Sequence, residues 1–198
     1  MLDQFQASTA LHWLGRQLFN RNDPAAFFDP LLEPIDPLLT LGVNGARHTR
    51  TFSLSSTPAQ WREEGTIAVT VKRIRGGRVT GWMHDYLGTG DTLFISEAFG
   101  DFDIPAVAEP ALYIVGGSGI SPVLSHLETL AADGFKAPVT LLYYVRTHQD
   151  IIALERLEAL AKQWPALTLN IFTTDKSANS QRLSDQHLHQ VPGIGARR

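Results

Sequence analysis

The chain has 198 residues, a formal net charge of −3, 43% hydrophobic residues and no cysteine. That length allows one large domain or two small ones with a real core. The absence of cysteine excludes disulfides, thiol nucleophiles and a cysteine-held iron–sulfur cluster in this chain. No apolar run approaches the ~20 residues of a membrane span, the start has no basic-then-apolar leader, and the charge balance argues against a nucleic-acid partner. A cytoplasmic location is expected.

Residues 8–20 carry Leu11, Leu14, Leu18 and Phe19 at helical spacing, which predicts an arm packed on its own domain rather than on a membrane surface. Pro24, Pro30, Pro34 and Pro37 then punctuate a loop. Leu38–Val43 and residues 46–54 flank Asn44-Gly45, the pair that best tolerates the backbone of a two-residue hairpin. Residues 66–74 alternate, with Ile67, Val69 and Val71 on one face, and Gly76-Gly77 closes the run. A short helix at 83–87, a Gly90-Asp91 turn and a strand at 92–96 follow. To about residue 107 the pattern is antiparallel β.

The pattern then changes. Residues 111–115 read as a buried strand, 122–132 as a helix closed by Gly134, and Val139–Val145 as a second strand. Asp150 is expected to cap a helix with Ile151, Leu154, Leu157, Leu160 and Ala161 on one face. Leu167–Thr173 is a third strand and 184–190 a short helix. Alternating strands and helices predict parallel pairing with right-handed crossovers.

Two stretches carry chemistry. Arg50-Thr51-Phe52-Ser53 places a guanidinium, an aromatic ring and a hydroxyl at a strand end. The guanidinium fork suits a diphosphate. Phe52, two residues along the same face, can cover a flat heterocycle. Ser53 points to the other side and reaches a ring nitrogen only through a local twist or its amide. A barrel edge with one exposed arginine is the plainer reading. After Gly76-Gly77, small residues let amides approach a diphosphate and the Thr80 hydroxyl can donate to it; a turn into a short helix is the alternative. The second stretch, residues 116–122, follows a buried strand and opens a helix, where amides and dipole receive a phosphate. It lacks the G-x-G-x-x-G spacing.

With RTFSLSS (50–56), VTVKRIRGGRVTGWMHDYL (69–87), GTGDTLFISEAFGDFDIP (88–105), ALYIVGGSGISPVLSHL (111–127) and VTLLYYVRTHQDI (139–151), the chain resembles the ferredoxin–NADP reductase-like flavoproteins. It looks most like bacterial flavodoxin/ferredoxin reductases that often carry a fused plant-type ferredoxin domain, over roughly residues 44–192. The resemblance implies an α+β two-domain fold: a helical arm at 1–40, an incomplete antiparallel flavin-binding β-barrel at 41–107, and a parallel α/β NAD(P)-binding domain at 108–198. It implies FAD and NADPH (or NADH) as cofactors. Arg50 would contact the FAD phosphates, Phe52 would stack on the flavin, and Ser53 would serve N5 as the catalytic group. Val71, Lys72, Val79 and Thr80 would add mainly backbone and hydroxyl contacts. Members commonly have tyrosine at Phe52; its missing hydroxyl forgoes about 0.5–1.5 kcal/mol.

By the same resemblance Gly116, Gly117, Ser118, Gly119, Ile120 and Pro122 would hold the NAD(P)H diphosphate and nicotinamide ribose. Arg146 and Arg182 match arginines that bind the 2′-phosphate of NADPH, while Thr173-Thr174 stands where a Ser-Arg pair is often found, with Lys176 nearby. Solvated arginines are the alternative at both positions. The implied activity moves hydride from NAD(P)H to FAD and electrons onward to ferredoxin, flavodoxin or another iron–sulfur acceptor. Lys72, Arg73, Arg75 and Arg78 could dock such an acidic partner or simply form an exposed hairpin face.

Two departures from the family pattern, missing barrel strands before residue 50 and a missing C-terminal Cys-Gly-Pro strand, lead to the expectation of a truncated chain. A non-catalytic flavin- and nucleotide-binding remnant therefore stands beside the working enzyme. His187-x-His189 is expected to be solvated rather than metal-bound. A serine hydrolase built on Ser118, with Asp150 or Asp175 and His187 or His189, needs glycine where Ile120 stands.

Overall fold

The computed structural model describes residues 38–43, 46–91, 93–96, 100, 102, 104, 109–175, 181–189 and 191. The expected arm at 8–20, the four prolines after it, Asn44-Gly45 and Lys176 lie outside the described residues. The chain divides into two units, Met1–Ile104 and Pro105–Arg198.

In the first unit, β1 (Leu38–Val43) pairs antiparallel with β2 (Ala46–Thr51), and Val43 lies opposite Ala46. That register leaves two residues for the connection, as the sequence predicts. On its other edge β1 pairs with β3 (Phe94–Ile95), giving the order β2-β1-β3. Three expected strands are shorter or absent. β2 ends at Thr51 instead of 54, and only Phe94 and Ile95 of 92–96 are paired. Residues 66–74 form no strand; they make one antiparallel bridge, Leu54 to Val69, with the Ser55 N–H donating to the Ala68 carbonyl at 2.8 Å. The alternation still sets burial: Ile67 and Val69 enter the core with Leu54, Val79, Met83 and Leu93, and Val71 packs against it.

Two helices complete this unit. α1 (Pro58–Glu64) was not expected, although its ends are well marked. The Thr57 side chain accepts from the Gln60 N–H at 3.2 Å, proline occupies the first turn, and Gly65 closes the helix at φ 67°. α2 (Arg78–Tyr86) begins five residues before the expected 83, because Gly77, whose N–H closes the expected turn on the Ile74 carbonyl at 2.8 Å, is also its N-cap. Val79 and Met83, four residues apart, bury its inner face.

In the second unit β4 (Ala111–Gly116), β5 (Val139–Val145) and β6 (Leu167–Thr173) form a parallel sheet in the order β4-β5-β6. β5 is its centre, and six of its seven residues are buried. A central parallel strand is covered on both faces, hence the unbroken apolar run. α3 (Ile120–Ala132) starts two residues before the expected 122 and buries Ile120, Val123, Leu124, Leu127 and Leu130. α4 (Leu154–Gln163) inserts Leu157 and is tied to α3 by Arg156 on Glu128 at 2.7 Å.

Asp150 does not cap α4. Its carboxylate accepts from the Thr147 N–H and hydroxyl, closing a 3₁₀ turn at His148–Asp150. The N-cap of α4 is Ala153 at φ 57°, the one non-glycine residue with positive φ among the described residues. α5 (Asp185–His189) is short, and no helix among the described residues is long and apolar enough to cross a membrane.

Candidate functional site

The second unit presents the clearer site. β4 ends at Gly116, and Gly117–Ser118–Gly119 form a 3₁₀ turn that runs directly into α3. Gly117 sits at φ 52°, a conformation costing an L-residue roughly 1–2 kcal/mol. Neither Gly116 nor Gly119 is replaced by a capping side chain, so the first amides of this helical run face solvent or a ligand. Ser118 and Gly119 are exposed, Pro122 is half-buried, and Ile120 is fully buried. Ile120 therefore contributes its backbone, and its side chain anchors α3 in the core.

Polar contacts behind the turn hold it in place. Ser121, buried at the start of α3, donates to the Ser118 carbonyl at 3.0 Å. Tyr143 of β5 donates to the Gly117 carbonyl at 3.1 Å and accepts from the Ile152 N–H at 3.1 Å. Sequence reading missed Tyr143. Its alternation in the strand was visible, but its partners lie 26 and 9 residues away.

Beyond the carboxyl ends of β5 and β6 stand the two arginines. Arg146 follows Val145, whose carbonyl accepts from the Thr174 N–H at 2.8 Å and hydroxyl at 3.2 Å. The Gln181 N–H donates to the Thr173 carbonyl at 2.8 Å, which brings the backbone of Arg182 back to the end of β6. Both arginines are exposed. Thr174, the position compared above with an arginine, is bound to β5 instead.

Two candidate partners of the remote hydrolase alternative are engaged elsewhere. Asp150 is held by Thr147, and His187 pairs through Nδ1 with the Tyr144 hydroxyl at 2.8 Å while stacking on Phe172 at 4.2 Å. The stack also corrects the expectation that His187 is simply solvated. Burial of its partner pushes the Tyr144 hydroxyl up from its ordinary pKa. His189 is exposed, and no group of three metal-ligating side chains occurs among the described residues.

In the first unit Arg50 is exposed, with Nη1 donating to the Thr49 carbonyl at 2.7 Å. Because β2 stops at Thr51, strand alternation does not extend to Phe52 and Ser53, so the expected shared face of Arg50 and Phe52 has no strand to enforce it. Phe52 is half-buried against the core, and Ser53 is half-buried. Residues 79 and 80 lie in the first turn of α2, whereas Val71 lies beside its last turn. The Val71 carbonyl is bonded to His84 Nε2 at 2.9 Å, Lys72 is exposed, and the Val79 side chain is in the core. The Thr80 hydroxyl accepts from the Ile74 N–H at 3.1 Å, which leaves its proton to donate elsewhere. Gly77 has no side-chain cap, so the first-turn amides of α2 are open to a ligand or solvent. Of the basic run, Arg73 is committed to Asp85 through two bonds of 2.6 and 2.9 Å.

Comparison with known proteins finds likenesses in sequence and in fold. The family described as "Oxidoreductase NAD-binding domain" matches residues 113–191, which contain the glycine turn, Tyr143 and both arginines. Residues 113–191 therefore carry an oxidoreductase NAD-binding domain. It is similar to the toluate 1,2-dioxygenase electron transfer component of Pseudomonas putida, 28% identical over 64% of this chain and 37% of that protein. It is also similar to the NADH oxidoreductase HCR of Escherichia coli, 30% identical over 78% of this chain and 46% of the relative. Among solved structures, ferredoxin-NADP+ reductase from Plasmodium falciparum with 2′P-AMP shares the fold. Its TM-score is 0.65 at 23% identity, covering 76% of this chain and 63% of that one. The chain thus spans less than half the length of these two curated relatives.

Proposed function

We propose that the chain is a reductase that takes NAD(P)H on its second unit and FAD on its first, and delivers electrons to a ferredoxin, flavodoxin or other iron–sulfur acceptor. The single observation that carries this reading is the uncapped glycine turn between β4 and α3 inside the matched NAD-binding domain. The residues fit the dinucleotide. A Cβ at Gly117 or Gly119 would meet nothing within 4 Å, so the backbone there is open to close approach by a diphosphate. The start of α2, with its uncapped amides and the Thr80 hydroxyl, likewise offers donors to a flavin dinucleotide's diphosphate.

Bound NAD(P)H and FAD supply the hydride and electron chemistry; the protein positions and tunes them. The amides of residues 117–119 and the Ser118 hydroxyl receive the nicotinamide dinucleotide's diphosphate, and Gly116, Ile120 and Pro122 shape the turn that presents them. Arg146 and Arg182 receive a 2′-phosphate, which favours NADPH over NADH. Arg50 neutralises the FAD phosphates, Phe52 covers the ring system, and Ser53 holds its reactive nitrogen through hydroxyl or amide. Val71, Lys72, Val79 and Thr80 frame the diphosphate. Lys72, Arg75 and Arg78, all exposed, offer a basic face to an acidic acceptor. The proposed place of work is the cytoplasm, which suits a cysteine-free chain.

The test is anaerobic visible absorbance of the purified chain with FAD, before and after NADPH or NADH. Retained flavin that loses its colour on nucleotide addition supports the reductase. Flavin that binds but keeps its colour identifies a binding remnant. A chain that takes up no flavin removes the proposal.

A further inference from the structure

We infer that Tyr143 is a positioning residue for nucleotide binding, its hydroxyl bracing the glycine turn and the loop after β5 in one arrangement. The inference rests on the nucleotide site proposed above and adds a residue to it. A tyrosine hydroxyl has one proton to give and lone pairs to receive. Here the proton goes to the Gly117 carbonyl and the lone pair takes the Ile152 N–H, each at 3.1 Å. The Gly117 carbonyl also accepts from the Ile120 N–H, so both of its lone pairs are used.

The two segments it joins are the ones whose backbones need support. Gly117 is left-handed at φ 52°, and Ala153, next to Ile152, is left-handed at φ 57°. At Ala153 such a conformation persists only where surrounding contacts over-determine it; at Gly117 it costs nothing, but a glycine is free to leave it unless contacts hold it. On the β4 side the hydroxyl is the side-chain contact to the turn's first carbonyl; on the β5 side it fixes the end of the loop that begins at Arg146. The ring of Tyr143 is fully buried, so its hydroxyl cannot wander. Burial pushes its pKa up, against the opposing pull of the Ile152 N–H and with the Asp150 carboxylate adding to the rise. A phenylalanine keeps the packing and removes both bonds, freeing the turn to populate arrangements in which its amides no longer converge. A ligand then has to order them on binding, which weakens affinity.

The probe is ADP-ribose, which carries the diphosphate but no nicotinamide, so titration calorimetry on the full chain needs no turnover. Tyr143→Phe is compared with wild type and with Thr129→Val, which removes a 2.7 Å bond from Thr129 Oγ1 to the Ser125 carbonyl further along α3. The expected result is a dissociation constant about tenfold higher for Tyr143→Phe, equivalent to about 1.4 kcal/mol, and unchanged for Thr129→Val even where their thermal midpoints fall equally. Wild-type binding with Tyr143→Phe within twofold of it overturns the role of Tyr143 while leaving the nucleotide site standing. Equal weakening in both variants also overturns it, since affinity would then follow stability alone. A wild-type chain that binds no ADP-ribose removes the site and the inference together.

Discussion

The two glycines that flank Ser118 should respond to alanine in opposite directions. Gly117 stands at φ 52° and Gly119 at φ −62°, and a Cβ at either would meet nothing within 4 Å. Packing therefore drops out, and backbone preference decides. Alanine at Gly117 must occupy the left-handed region, at roughly 1–2 kcal/mol. A reduction in unfolded-state freedom of about 0.4–1 kcal/mol offsets part of this, leaving a net loss near 1 kcal/mol. Alanine at Gly119 adopts an ordinary helical φ and gains the same unfolded-state term with no penalty. In a unit of about 90 residues, 1 kcal/mol moves the midpoint by about 4–8 °C. Differential scanning calorimetry should thus place Gly117→Ala several degrees below wild type and Gly119→Ala a few degrees above. The same Gly119 methyl would occupy space that the proposed diphosphate needs, so ADP-ribose affinity should fall although stability rises. Equal destabilisation by both substitutions, or a stabilised Gly119→Ala that binds ADP-ribose as wild type does, would refute the reasoning.

Other perturbations follow the same physics. Leu157 is fully buried between α4 and its neighbours, so Leu157→Ala should lose about 2–5 kcal/mol in urea denaturation. Thr57→Ala removes the cap of α1 and should lose about 1 kcal/mol, read by the same method. Burial pushes the Tyr113 hydroxyl from 10.0 up to about 12. The native state therefore binds more protons than the unfolded chain above pH 10. Stability should be intact below pH 10 and fall towards pH 12. Tyr113→Phe should flatten that fall in pH-dependent melting.

The parallel sheet was readable because its strands are apolar runs bounded by Gly, Pro and Asp, although only the central β5 is buried on both faces and Ile114 of β4, expected in a buried strand, is exposed. Val139–Val145 and Leu167–Thr173 coincide with the expected strands. Residues 66–74 show the opposite case. Alternation reported correctly that Ile67 and Val69 face a core, but burial does not supply a hydrogen-bonded neighbour, and only one bridge forms. Asp150 carried a genuine capping signal that belongs to Thr147 and a 3₁₀ turn, not to α4. At Gly77 the chain turns and starts a helix at once: a Cβ there would lie 2.7 Å from Thr80 Oγ1 and 3.0 Å from the Ile74 carbonyl. That crowding explains the second glycine, and no local propensity announces it. The glycine turn itself was legible, whereas the hydroxyl of Tyr143 behind it depends on a tertiary contact.

Amide hydrogen exchange on the full chain, with and without NADPH, tests the site most directly. Slowed exchange concentrated in the peptide containing Gly117, Ser118 and Gly119, with a lesser effect around Arg146 and Arg182, is the predicted outcome. Bound NADPH that leaves those amides exchanging as before, or protects a different segment instead, would contradict the account.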